Sequence, residues 1–135
     1  MIHLDTSFLI DALREARRAE PGPALAWLTE QEDERIAVSL FVLCELLLGA
    51  ELHAQREVER SRVRRTCGGL EVVSPDERLP ARYARTHAAL TRDGLTVATM
   101  DLLIACVALN EDAALVTANE RDFSRVPGLR VVTYR

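Results

Sequence analysis

Short apolar runs alternate along this chain with longer stretches whose apolar positions recur at helical spacing. Met1–Asp5 reads as a strand that ends in an acid, and Thr6–Arg18 follows as a helix with Phe8, Leu9, Ala12 and Leu13 on one face. Glu20-Pro-Gly-Pro breaks that helix, and a second runs from about Pro23 to Gln31 with Leu25 and Leu28 inward and Trp27 nearby. Arg35–Ser39 (RIAVS) is the next strand. Leu40–Leu52 (LFVLCELLLGAEL) is a helix apolar nearly all round, so it should be buried on more than one side. The Arg-rich stretch Ala54–Thr66 predicts a polar, exposed helix that Gly68-Gly69 ends. Leu70–Val73 is a third strand. Ser74-Pro-Asp-Glu77 has the form of a capping box with Pro at the first helical position, and Leu79, Tyr83, His87 and Leu90 continue at helical spacing. Pro80 predicts a kink or a restart there. Thr99 is placed to cap a helix from Met100 to Asn110, Ala114–Thr117 is a fourth strand, Asn119 begins a short turn or helix, and Leu129–Tyr134 is a last strand. Strands alternating with helices predict one α/β domain over 1–135 with a mostly parallel sheet.

Composition narrows what such a domain can do. At 135 residues and 48% hydrophobic, a full core forms without staples; with only 4% aromatic residues that core must be aliphatic. No apolar run reaches membrane-spanning length, and the first residues lack the basic region of a signal peptide, which predicts a cytoplasmic protein. Three cysteines, Cys44, Cys67 and Cys106, predict buried free thiols rather than disulfides. The net charge of −4 argues against a general nucleic-acid binder, yet all 17 cationic residues are arginine, whose planar fork suits phosphate. Zinc pairs, dinucleotide and P-loop glycine patterns and serine-nucleophile motifs are absent from the sequence. His3 lies two residues before Asp5, on the same strand face, and reads as a packed or surface histidine.

Four acids carry the chemistry: Asp5 in MIHLDTSFLI, Glu45 in FVLCELLLGA, Asp101 in ATMDLLIACVAL and Asp122 in ALVTANERDF. Each has a structural explanation. Asp5 could cap the following helix, Asp101 could favour its helix dipole, and Asp122 could be an exposed loop acid. Glu45 is harder to explain, because its helix offers no polar face. An ionised carboxylate in apolar surroundings is costly without a partner. The chain has no lysine, and no arginine lies inside these runs. Two charges ~4 Å apart repel by roughly 4 kcal/mol at an effective dielectric near 20, so clustered acids must bind a cation or take up protons. Oxygen donors without soft ligands select Mg²⁺ or Mn²⁺.

LDTSFLI, CELLLGA, MDLLIACVAL and LVTANERDF, in that order, resemble the acidic signatures of PIN-domain ribonucleases, more narrowly the VapC-type toxins of bacterial toxin–antitoxin pairs, and the resemblance spans Ile2 to Val132. It implies a three-layer α/β/α sandwich, homodimers, and an antitoxin that blocks the site. It implies Asp5, Glu45, Asp101 and Asp122 as metal-coordinating catalytic acids, with Thr6, Thr117 and Asn119 as supporting polar residues. Ser7 stands where many members have Asn. The expected activity is Mg²⁺- or Mn²⁺-dependent endoribonuclease cleavage of structured RNA, of the tRNA or ribosomal RNA class. Arg56, Arg60 and Arg64 are candidates for RNA contact, against the alternative of a solvated helix face laced with Glu57 and Glu59. The rival reading from another class is a non-catalytic or phosphate-accepting α/β binding module.

Overall fold

A computed structural model describes residues 1–135. Its five strands are β1 (Ile2–Leu4), β2 (Ile36–Ser39), β3 (Glu71–Val73), β4 (Ala114–Val116) and β5 (Val131–Val132). They form one sheet in the order β3-β2-β1-β4-β5, with every neighbouring pair parallel. Parallel neighbours require crossover connections, and helices supply them. Helices α1 (Thr6–Arg18) and α2 (Pro23–Glu30) join β1 to β2; α3 (Leu40–Leu52) and α4 (Arg56–Cys67) join β2 to β3. Next, α5 (Leu79–Arg92) and α6 (Thr99–Asn110) carry the chain back across to β4, and α7 (Glu120–Phe123) leads to β5. The strand order reverses after β3. With right-handed crossovers that reversal puts helices on both faces, a three-layer α/β/α sandwich.

Apart from His3 and Ser39, the central strands are apolar because both faces are covered. Leu4, Ala37, Val38, Leu115 and Val116 are fully buried, beside Phe8, Leu9, Ile104 and Phe123. Three of the six aromatics gather at one place: Phe8 meets Trp27 edge-on at 5.5 Å and Tyr134 at 4.6 Å. Glu15, on α1, accepts from the Ala24 and Leu25 amides at 3.0 and 2.9 Å, capping α2 where Gly22 has no side chain to do so.

Several local expectations are corrected. Ser74-Pro-Asp-Glu77 starts no helix; Asp76 instead clamps Arg78, and α5 begins at Leu79. Pro80 falls in the first helical turn, where its missing N–H has no partner to lose, so it makes no kink. Thr99 is helical rather than a cap, and the Ala98 N-cap offers no side-chain bond. Helix α3 buries only Val42, Leu46 and Ala50, while Leu40, Cys44, Leu47, Leu48 and Leu52 face outward. Helices α1, α4 and α6 and strand β2 pack against it, yet five of its apolar residues stay exposed, so the expectation of burial on several sides is met only in part within one chain. Cys44 is accordingly exposed, unlike Cys67 and Cys106. Helix α4 is not merely a solvated face either: Glu59 is buried, pairing with Arg62, with Arg17 at 3.3 Å and with His53 at 4.0 Å. His3 is buried, and its Nε2 has no hydrogen-bond partner. No helix is long and apolar enough to cross a membrane.

Candidate active site

In an open parallel sheet, ligands bind beyond the carboxyl ends of the strands, at the point where strand order reverses. Here that point lies between β1 and β4. Asp5 follows β1 and Thr117 follows β4, so the two meet across the crevice: the Thr117 hydroxyl donates to Asp5 Oδ2 at 2.7 Å. Asp5 is 3% exposed, and its Oδ1 accepts from the Ser7 hydroxyl at 2.7 Å and the Phe8 amide at 3.1 Å. It is therefore the N-cap of α1 and a site acid at once. Burial raises its carboxyl pKa, while the Thr117, Ser7 and Phe8 donors oppose the rise. Ser7 fixes the crevice further. Its Oγ lies 3.2 Å from Thr117 Oγ1 and accepts from the Ala118 amide at 3.0 Å.

The other acids reach the same mouth from different elements. Glu45, one turn into α3, accepts from the Thr6 hydroxyl at 2.5 Å. Asp122, on α7, accepts from the Asn119 amide group at 3.1 Å. Asp101, in the first turn of α6, takes part in no side-chain hydrogen bond. Burial pushes its pKa up to about 6, and the negative charges of Glu45, Asp5 and Asp122 push the same way. Four acids that repel one another in this way lie within electrostatic reach. Of the four, only Asp122 meets a cation, Arg125 at 3.7 Å.

The donor set suits a hard divalent cation: carboxylate and hydroxyl oxygens, without thiolate or imidazole. The acids face each other without closing into a cage, and no three acid, histidine or cysteine side chains stand close enough to hold an ion in this geometry.

Sequence reasoning missed Arg125. It bonds the Thr96 carbonyl at 2.9 Å, fastening the α5–α6 connection to α7 beside Asp122. Its spacing of three from Asp122 was the one available signal. The Arg-rich helix lies elsewhere. Helix α4 packs by Glu59 against Arg17 near the C-terminus of α1, whereas the acids surround the N-terminus of α1. Arg60 is held by Glu51 and Glu57, Arg64 reaches Ser61 at 3.2 Å, and Arg56 is exposed.

The PIN domain model matches residues 2–129. The chain belongs to the PIN-domain family. Among relatives, it is 33% identical over 98 residues to Ribonuclease VapC2 of Rickettsia felis, covering 73% of each chain. It is 33% identical over 97 residues to the tRNA(fMet)-specific endonuclease VapC of Salmonella typhimurium, covering 72% of this chain and 74% of that one. Among solved structures, the Rickettsia felis VapBC2 complex bound to a promoter DNA fragment matches with a TM-score of 0.92 at 28% identity over 100% of both chains. The DNA-bound VapBC of Salmonella typhimurium matches with a TM-score of 0.90, also at 28% identity and over 100% of both chains. Within its family the chain thus falls among the VapC-type endoribonucleases, toxins of toxin–antitoxin systems, and the phosphate-accepting binding module gives way to that reading.

Proposed function

We propose that this protein hydrolyses RNA phosphodiester bonds with Mg²⁺ or Mn²⁺ held by Asp5, Asp101, Glu45 and Asp122. The observation that carries this reading is the meeting at the switch point of acids from four elements, three without any cationic partner, around an Asp101 carboxyl raised to about 6. When bound, the ion would acidify a water and polarise the phosphoryl oxygen. The chain's own side chains prepare the site. Ser7 and Thr117 hold both oxygens of Asp5, Thr6 holds Glu45, and Asn119 holds Asp122.

The substrate is RNA in the cytoplasm. A Salmonella typhimurium relative is named for tRNA(fMet), so tRNA is the first RNA to test and ribosomal RNA the second. The partner is an antitoxin that blocks the mouth, with a cationic side chain of its tail complementing the carboxylates. A groove of about 120 Å³ supports this, lined by Ile10, Leu13, Leu46, Ala50 and Val63 and bordered by Glu45. Its apolar walls suit a short amphipathic segment. The outward strip of α3, with Leu48 59% and Leu52 79% exposed, supports a homodimer in which a second copy covers it.

Incubation of the protein with purified tRNA or ribosomal RNA, in Mn²⁺ or in EDTA, tests the reading. Discrete fragments should form in Mn²⁺ and vanish in EDTA and in Asp5→Asn. Intact RNA of both classes in Mn²⁺ would overturn it.

A further inference from the structure

A metal ion held by the acids would attract a phosphodiester only at the scissile position; the rest of the strand needs cations along the rim. Most of the 17 arginines are engaged within the chain. Arg17 and Arg62 pair with Glu59, Arg35 with Glu71, Arg60 with Glu51 and Glu57, and Arg78 with Asp76 and Glu111. Arg14, Arg125, Arg130 and Arg135 pair with other acids. Arg82 and Arg64 hydrogen-bond to Asn110 and Ser61. Six arginines remain without an ion pair or side-chain hydrogen bond: Arg18, Arg56, Arg65, Arg85, Arg92 and Arg121. All six are exposed.

Topology separates these six: Arg56 opens α4, away from the mouth, and Arg85 lies two turns before the end of α5. Arg18 ends α1, the end remote from Asp5, and Arg65 lies beside Ala16 at the same end. Helices α5 and α6 are antiparallel, because Arg78 and Arg82 near the start of α5 bond Asn110, the last residue of α6, and Glu111 just after it. Arg92, the last residue of α5, therefore lies level with the first turn of α6, which carries Asp101. The loop between them turns at Gly94 (φ 69°) and is tied by Arg125 to the segment after Asp122. Arg121 precedes Asp122 on α7. The two free cations at the mouth are thus Arg92, at the end of the helix that leads into α6 and Asp101, and Arg121, on α7 beside Asp122.

We propose that Arg92 and Arg121 hold the RNA backbone on either side of the scissile phosphate, and that the α4 arginines do not. This rests on the nuclease reading above. An exposed guanidinium without an internal partner can bind phosphate without first breaking an ion pair, whereas Arg60 would have to release two carboxylates.

The test uses full-length protein carrying Asp5→Asn, so that RNA stays intact, with labelled tRNA in EDTA across a series of KCl concentrations. Arg92→Gln/Arg121→Gln should weaken binding by about tenfold at low salt. Each lost phosphate contact should flatten the plot of log K against log salt by about 0.7, so by about 1.4 for the pair. Arg18→Gln/Arg65→Gln, equal in charge and remote from the mouth, should change neither. In the cleaving protein, the rim pair should raise KM and leave kcat near wild type. Metal-dependent cleavage with unchanged binding and slope in the rim pair overturns this proposal alone. So does an equal loss in the remote pair, or a loss confined to Arg56→Gln/Arg64→Gln. Absence of both RNA binding and cleavage in the parent protein overturns the nuclease reading and this proposal with it.

Discussion

Asp101→Asn should stabilise the metal-free protein at pH 8 while abolishing cleavage. The carboxyl pKa rises from 3.8 to about 6 on folding, chiefly through burial and then through the charges of Glu45, Asp5 and Asp122. A shift of about two units corresponds to roughly 3 kcal/mol. The site is half open to water, and screening reduces this to roughly 1–1.5 kcal/mol. The sign follows from linkage. A raised folded pKa means that the folded state binds the proton more tightly than the unfolded chain. Its benefit is complete below about pH 3.8 and is lost as pH rises through about 6. At pH 8 wild type therefore bears the full repulsion, and an amide, which is neutral, does not. Asn forfeits nothing in exchange, because Asp101 makes no side-chain hydrogen bond. For a chain of 135 residues the gain is a rise of roughly 3–6 °C in Tm. Both proteins would be melted in EDTA from pH 4 to 8. The Tm difference should be largest at pH 8 and close to nothing at pH 4. Lower stability of Asp101→Asn at pH 8, or a difference that ignores pH, would refute the picture of acids repelling one another across the crevice.

Mn²⁺ at a hundredfold excess over Kd should stabilise wild type by about 2.7 kcal/mol for one site and Asp101→Asn by much less, read from the same melts; equal shifts would place the ion elsewhere. Leu48→Arg on the exposed strip of α3 should turn a sedimenting dimer into a monomer without lowering the stability of the fold by more than about 1 kcal/mol, and an unchanged sedimentation coefficient would remove α3 from the interface. His3 has its pKa lowered to about 4 by burial, so the folded state resists its proton, and its contribution to stability falls as pH drops from about 6.5 towards 4. His3→Leu should flatten that acid limb, and since Nε2 has no partner, it leaves no group unpaired; an unaltered limb would assign acid sensitivity to another group.

The elements were legible where the pattern was long or bounded by acids. All five strands and the helices around the four acids lie within a few residues of the sequence expectation, because an apolar run ending in a carboxylate marks both a strand end and a site. What stayed illegible was tertiary. Ser74-Pro-Asp-Glu77 carries helix-start chemistry, but Asp76 is taken by Arg78, and the local signal loses to an ion pair that involves Glu111, far along the chain. The outward face of α3 looks in sequence like a core face; only the positions of α1, α4, α6 and β2 around it decide which residues are covered. Glu59 reads as a surface acid in an Arg-rich run, yet Arg17 and His53 come from outside that run to bury it. At the site, the sequence offered Asp5 as either cap or ligand; it is the cap, and the ligand role proposed for it uses the same carboxylate.

That double role separates the two central acids. Asp5 accepts three hydrogen bonds, from Ser7, Phe8 and Thr117, so its oxygens are fixed before any cation arrives. Asp5→Asn would turn one accepting oxygen into a donor facing a hydroxyl or an amide already committed to donating. The remaining oxygen can still cap α1, since Asn caps about as well as Asp, but the lost bond to Thr117 and the buried donor left unpaired cost about 1–3 kcal/mol, enough to offset the repulsion relieved. Asp5→Asn should therefore gain little or no stability in EDTA at pH 8, in contrast to Asp101→Asn, although both lose cleavage. The same asymmetry predicts how metal binding depends on pH. Asp101 must release a proton to bind, so Mn²⁺ affinity should fall about tenfold per pH unit below about 6, measured by titration calorimetry. In Asp101→Asn the residual affinity should lose that slope near pH 6. A slope unchanged in Asp101→Asn would mean that another carboxyl is the one that titrates, and that Asp5, for all its hydrogen bonds, shares the proton.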